Sequence, residues 1–188
     1  MITRGVNSTM DHKPKCLIIE GARNSGKTTL AKMLCAQYSN LFYYVKFSNF
    51  QLEISHPSFS SYASPLRQDM LLSFLEQSPG EWPLPVFDRM IGTDLVMNKV
   101  LHRKQKLAAL KIIEQRWASL PTQQIFLKCD WRIRENRADK IDEGPRVEID
   151  FEFNQWLEKT PIATRVIDSA SPFTNELVES IILPLIGL

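Results

Sequence analysis

The stretch IIEGARNSGKTT, residues 18–29, sets Gly21 ahead of the triplet Gly26-Lys27-Thr28 with four residues between them. Glycines at both ends let the backbone turn tightly and aim successive N–H groups inward at an anion. This is the spacing of a P-loop. In that loop Lys27 supplies a point charge to the outer phosphates of a triphosphate, and the Thr28 hydroxyl is offered to Mg²⁺. A helix starting near Lys27 would direct its positive end at the same anion. The candidate triphosphate-binding set is Gly21, Asn24, Ser25, Gly26, Lys27, Thr28 and Thr29. The flanks supply the setting that such a motif needs. Cys16 to Glu20 is a short apolar run that suits a buried strand. Thr28 to Tyr38 carries apolar residues at helical spacing.

Composition narrows the class. A chain of 188 residues with net charge +2 fits one domain with a substantial core and no strong field toward nucleic acid or anionic membrane. No apolar run is long enough to span a bilayer, and none at the N-terminus suits a secretory leader. The expectation is a cytoplasmic protein. Cys16, Cys35 and Cys129 fall in predicted strands and a helix, as small buried hydrophobes do in a reducing compartment. The three histidines are scattered, which argues against zinc.

Working outward, residues 1–15 are polar and aperiodic and read as a flexible tail ahead of a single domain, 16–188. Strands are expected at 41–47, 85–88, 123–130 and 163–170 besides the first. Helices are expected at 66–77, in one long stretch at 93–119, at 147–159, and at the C-terminus with Ser171 as cap and Pro172 in first position. Alternating strands and helices argue an α/β fold, a parallel sheet of about five strands with helices on both faces. A serine- and aromatic-rich loop, 48–65, and a charged excursion, 131–146, stand outside the periodic segments.

Two further groups bear on chemistry. Asp88 ends a predicted buried strand, which places it at the carboxyl edge of the sheet beside the P-loop. There it can hold Mg²⁺ or accept a proton from an attacking hydroxyl. Arg89 follows it and can grip an acceptor with a planar donor fork. In the excursion 131–146, read as a short lid, Arg134 and Arg137 are candidates to stabilise charge on a phosphoryl group in transfer. Phe50, Phe59 and Tyr62 in the long loop can flank an acceptor's base, with ordinary packing as the alternative.

These residues resemble a known family. IEGARNSGKTTLAKML is similar to the opening of thymidylate kinases and the related deoxynucleoside kinases. DRMIGTDLVMN, residues 88–98, resembles their Asp-Arg motif, RIRENR their lid, and VIDSASPFTNELVESI their last strand, adenine-side loop and closing helix. The resemblance implies a P-loop kinase that uses ATP and Mg²⁺ on a nucleotide or nucleoside acceptor. It also implies a homodimer, for which the 93–119 helix is a candidate interface. The acceptor side departs from the pattern. Arg23 and Asn24 stand where thymidylate kinases carry an acidic residue, and VKFSNF and LLSFLEQSPG lack their acceptor-phosphate arginines. A second reading follows, a kinase acting on a hydroxyl of a polynucleotide, such as a 5-hydroxymethylpyrimidine base in DNA. A third is a nucleotide-binding switch without catalysis.

Overall fold

The computed structural model describes residues 14–46, 63–78, 83–137, 146–181 and 184. Five strands form one parallel sheet: β1 (Cys16–Glu20), β2 (Phe42–Lys46), β3 (Leu84–Asp88), β4 (Thr122–Lys128) and β5 (Thr164–Asp168). Their spatial order is β2-β3-β1-β4-β5, so β1 is central. The chain leaves β1 for the outer strand β2, returns to β3 beside β1, and crosses to β4 on β1's other side. Such a reversal opens a crevice at the carboxyl ends of the strands.

Alternation along the strands sorts the core into two layers. Cys16 and Ile18 of β1, Phe87 and Phe126 pack on one face against α2 (Ala63–Gln77), α3 (Ile91–Val100), α4 (Lys104–Ser119) and α6 (Arg146–Lys159). Leu17 and Ile19, Val86, Ile125 and Leu127 pack on the other against α1 (Lys27–Gln37) and Val178 of α7 (Asn175–Ile181). Helices therefore cover both faces, as the sequence pattern implies. All five residues of β1 and of β3 are buried, in keeping with their continuous apolar runs.

Three expectations need correction. The stretch 93–119 is not one helix. Its first part closes at Val100 in a Schellman motif, with His102 N–H donating to Lys99 O at 3.0 Å and Arg103 N–H to Asn98 O at 2.9 Å. His102 takes the left-handed conformation, φ 53°, that this stop requires. Glycine or asparagine usually occupies that place, so histidine left no visible signal. The last helix begins later than Ser171. Thr174 caps it, its hydroxyl accepting from Leu177 N–H at 3.2 Å, while Phe173 packs onto Gly26 of the P-loop. At residues 14 and 15 the expected tail is tied to the domain, and residues 1–13 lie outside the described residues. Pro14 is buried, Lys15 N–H donates to Pro121 O at 2.7 Å, and Lys15 Nζ donates to the carbonyls of Leu75 and Glu76 at the end of α2.

The excursion 131–146 opens with a short helix, α5 (Trp131–Asn136), capped by Asp130, whose carboxylate accepts from Arg132 N–H at 2.8 Å. Residues 138–145 of the expected lid lie outside the described residues. The helix layer on the α3 side is closely fitted. A Cβ added to Gly92 would sit 2.5 Å from the Trp156 indole, which is itself fixed by a 2.6 Å bond from Nε1 to Glu114. Gly92→Ala is expected to force α3 and α6 apart and to cost about 1–3 kcal/mol of unfolding free energy in urea titration. A cost within error of zero would mean that the two helices yield freely.

Candidate active site

The loop after β1 is built by backbone conformations that few side chains tolerate. Gly21 has φ 141°, Asn24 60° and Gly26 94°. Asparagine adopts the left-handed form more readily than most residues, and here it does so without a glycine's freedom. A Cβ on Gly21 would lie 2.7 Å from the Leu127 carbonyl, so the loop must pass the end of β4 at this point. Ser25 N–H donates to Ala22 O at 3.3 Å and closes the turn. Gly26 then caps α1, and Lys27 is its first residue.

Charged side chains converge at this edge although it is walled by core. Relative exposure is 0 % for Glu20, 4 % for Lys27, 6 % for Asp88 and 7 % for Arg134. Charges so deeply placed need partners. Lys27 Nζ donates to Ala22 O at 2.5 Å and to Ser25 Oγ at 3.4 Å. Burial first, then the Arg89 guanidinium, push its ammonium down to about 7, against the pull of Glu20 and Asp88. Asp88 Oδ2 accepts the Thr28 hydroxyl at 2.5 Å and the Tyr44 hydroxyl at 2.9 Å. Thr28 and Asp88 thus form a pair of hard oxygens beside the phosphate loop, the donor set that suits Mg²⁺ completed by phosphate and water. Among the described residues no group of three or more His, Cys, Asp or Glu gathers as a protein-only metal cage.

Arg89 is exposed and has φ 65°, a left-handed conformation that costs an arginine about 1–2 kcal/mol. Two contacts hold it there. Its N–H donates to Ile19 O at 3.1 Å, and the turn that follows is pinned by Glu20. The Glu20 carboxylate accepts from Met90 and Gly92 N–H, each at 2.9 Å, from Thr93 N–H at 3.2 Å and from the Thr93 hydroxyl at 2.6 Å. One residue from β1 therefore answers the N–H groups at the start of α3 that have no partner within the helix. Burial pushes the Glu20 carboxyl above its ordinary value, opposed by the donors of Thr93 and Met90.

The two candidate arginines of the excursion part company. Arg134 lies against the P-loop. Its Nη2 donates to both oxygens of Asp150 at 2.5 Å, Nη1 to Arg23 O at 3.3 Å and Nε to Cys129 O at 3.1 Å. It is anchored from three sides and is close enough to depress Lys27. Arg137 turns instead to the loop after β5, donating to Ala170 O at 2.7 Å. Thr29 is exposed on the first turn of α1. Phe50, Phe59 and Tyr62 lie outside the described residues. A polar cluster joins α2 to α3. Ser64 and Gln68 of α2 both donate to Asp94 Oδ2 of α3, and Gln68 accepts the Trp117 indole N–H at 3.1 Å.

Glu20, Tyr44 and Asp150 were not singled out from sequence. Glu20 alone left a local sign, a carboxylate closing an apolar run just before Gly21. Its four donors make it a structural keystone. Glu20→Ala would strand three backbone N–H groups and is expected to lower unfolding free energy by about 3 kcal/mol. Chemical denaturation measures this, and a loss below about 1 kcal/mol would show that water replaces the carboxylate.

No family model matches the sequence, and no curated protein matches it. Solved structures do resemble it. The thymidylate kinase of Candida albicans superposes with TM-score 0.63 at 16 % identity, over 93 % of this chain and 92 % of that one. YorR of Bacillus subtilis, solved in complex with phosphorylated GDP, gives 0.59 at 19 % identity over 90 % and 95 %. A gluconokinase of Sinorhizobium meliloti gives 0.50 at 12 % identity over 93 % and 90 %. With its central β1, the P-loop that follows and the order β2-β3-β1-β4-β5, the chain has the P-loop kinase fold of these structures.

Proposed function

We propose that this chain is an ATP-dependent kinase that transfers the γ-phosphoryl group to a nucleotide or nucleoside. The observation that carries the reading is the joining of Lys27, Thr28 and Asp88 at the carboxyl ends of β1 and β3, with Thr28 Oγ1 2.5 Å from Asp88 Oδ2. The P-loop backbone and Lys27 would hold the β- and γ-phosphates, and Thr28 and Asp88 would hold Mg²⁺. When bound, that ion neutralises charge on the phosphates and aligns them. Asp88 would also accept the proton of an attacking hydroxyl, Arg89 would orient the acceptor, and Arg134 would face the transferring group from the Arg23 side. The acceptor class rests on the likeness of motifs 88–98 and 166–181 to thymidylate kinases and on the thymidylate kinase and nucleotide-complexed YorR among similar structures.

The test is transfer of label from γ-labelled ATP across a panel of nucleosides, nucleoside monophosphates, and plain or 5-hydroxymethylpyrimidine DNA. Label is expected on a free nucleoside or nucleotide. Label on DNA alone would establish the polynucleotide reading, which the missing acceptor-phosphate arginines motivate. Label on none would leave a binding switch. In the active assay Lys27→Ala is expected to cost on the order of a hundredfold or more in turnover.

The position of Lys27 also sets a pH dependence. A bound polyphosphate raises the ammonium's pKa again, so binding takes up a proton wherever Lys27 is neutral in the free protein. With the free value at about 7, affinity for a non-hydrolysable ATP analogue is expected to fall as pH rises above it, by about tenfold per unit. Calorimetry in two buffers of different ionisation enthalpy measures both the fall and the proton. Affinity that is flat from pH 7 to 9, with no proton taken up, would show that Lys27 stays charged throughout.

A further inference from the structure

The two hydroxyls on Asp88 come from the two sides of β3, one from β2 and one from the helix that follows β1. Asp88 is the last residue of β3, and β3 lies between β1 and β2. Thr28 reaches it from the helix that follows β1. Tyr44 reaches it from β2, where it stands opposite Val86, two residues before the Lys46–Asp88 pair. Two residues along a strand is about 6.6 Å, a span that the long phenol bridges and a serine or threonine at the same place would not. The ring is not loose. It packs on the core layer that contains Leu30, Leu34, Phe42 and Val86, so its hydroxyl is delivered from a fixed platform.

Both donors take the same atom, Oδ2, at 2.5 and 2.9 Å. A carboxylate with one donor can rotate about its last bond and exchange its oxygens. One held at a single oxygen by two donors from two different elements is fixed in rotation. Neither bond engages Oδ1. We infer, on the basis of the kinase reading, that Tyr44 is a positioning residue for Asp88: it holds Oδ2 on the Thr28 side, where the metal ion would be held, and leaves Oδ1 as the oxygen that receives the acceptor's proton. Tyr44 itself touches neither phosphate nor acceptor in this assignment. In the step it serves, the acceptor oxygen forms a bond to the γ-phosphorus, the bond from that phosphorus to the ADP oxygen breaks, and the acceptor's proton passes to Oδ1.

The test is Tyr44→Phe, which deletes one oxygen and keeps the ring in the core. Two readings are taken. The first is calorimetric and needs no turnover: the gain in affinity for a non-hydrolysable ATP analogue on adding Mg²⁺. It is expected to shrink about tenfold in Tyr44→Phe, with metal-free affinity unchanged. The second is kinetic: kcat is expected to fall about tenfold with the acceptor KM unchanged, and Tyr44→Phe is expected to add no further loss in an Asp88→Asn background. The thermal midpoint should match that of the parent, separating positioning from folding. An undiminished Mg²⁺ gain, or a kinetic loss that persists undiminished in the Asp88→Asn background, overturns the assignment. If the unaltered protein labels no acceptor, the kinase reading falls by itself, and the calorimetric arm still decides whether Tyr44 acts through Asp88.

Discussion

The buried carboxylate of Glu20 joins the end of β1 to the start of α3, and the geometry of the candidate site depends on that joint. The P-loop begins at the next residue, Gly21. The turn that Glu20 holds is the one that carries Arg89 out of β3 in a left-handed conformation. Because β1 and β3 are neighbours in the sheet, one side chain can serve both. Four donors converge on it in a place where water is excluded, so each bond counts for more than it would at the surface. The phosphate loop and the Asp-Arg corner are thereby fixed relative to each other before any ligand arrives, which is what positioning catalysis requires.

The same edge gathers Lys27, Asp88 and Arg134, all buried. Such groups are costly to bury, and each is answered by a specific partner rather than by a general excess of opposite charge. Lys27 rests on the Ala22 carbonyl, Asp88 takes two hydroxyls, and Arg134 takes Asp150 and two carbonyls. Core stability alone would favour apolar residues at these places. Their concentration at the crevice of the sheet, together with the strained backbone at Asn24 and Arg89, is the pattern of a site where local rules are broken for function.

Likeness of fold does not extend to the acceptor. The structures that resemble this chain include a thymidylate kinase and a gluconokinase, both at low identity. One sheet and one phosphate loop therefore serve unlike acceptors, and the difference lies in what is grafted on the strand ends. On this chain the expected acceptor loop lies largely outside the described residues, and what is described nearby is Arg23 and the polar contacts around Asp94.

What the sequence determined by itself is whatever is written in short range. The P-loop spacing, the short apolar runs of the strands and Asp88 at a strand end were legible because phosphate binding and strand burial impose local patterns, and from them the α/β class followed. Tertiary structure decided the rest. The break at His102 depends on backbone strain that no common capping residue announces, and the cap falls at Thr174, just after Phe173, which lies over Gly26. Glu20 and Tyr44 matter only because β1, β2 and β3 are neighbours, and strand order is not encoded in any one segment. Arg134 and Arg137 stand three residues apart in the same charged run, yet one is buried against the P-loop and the other faces Ala170. On a short helix a separation of three leaves two side chains near one face, and only the elements packed beside it, Asp150 and the Cys129 carbonyl, decide which one turns inward.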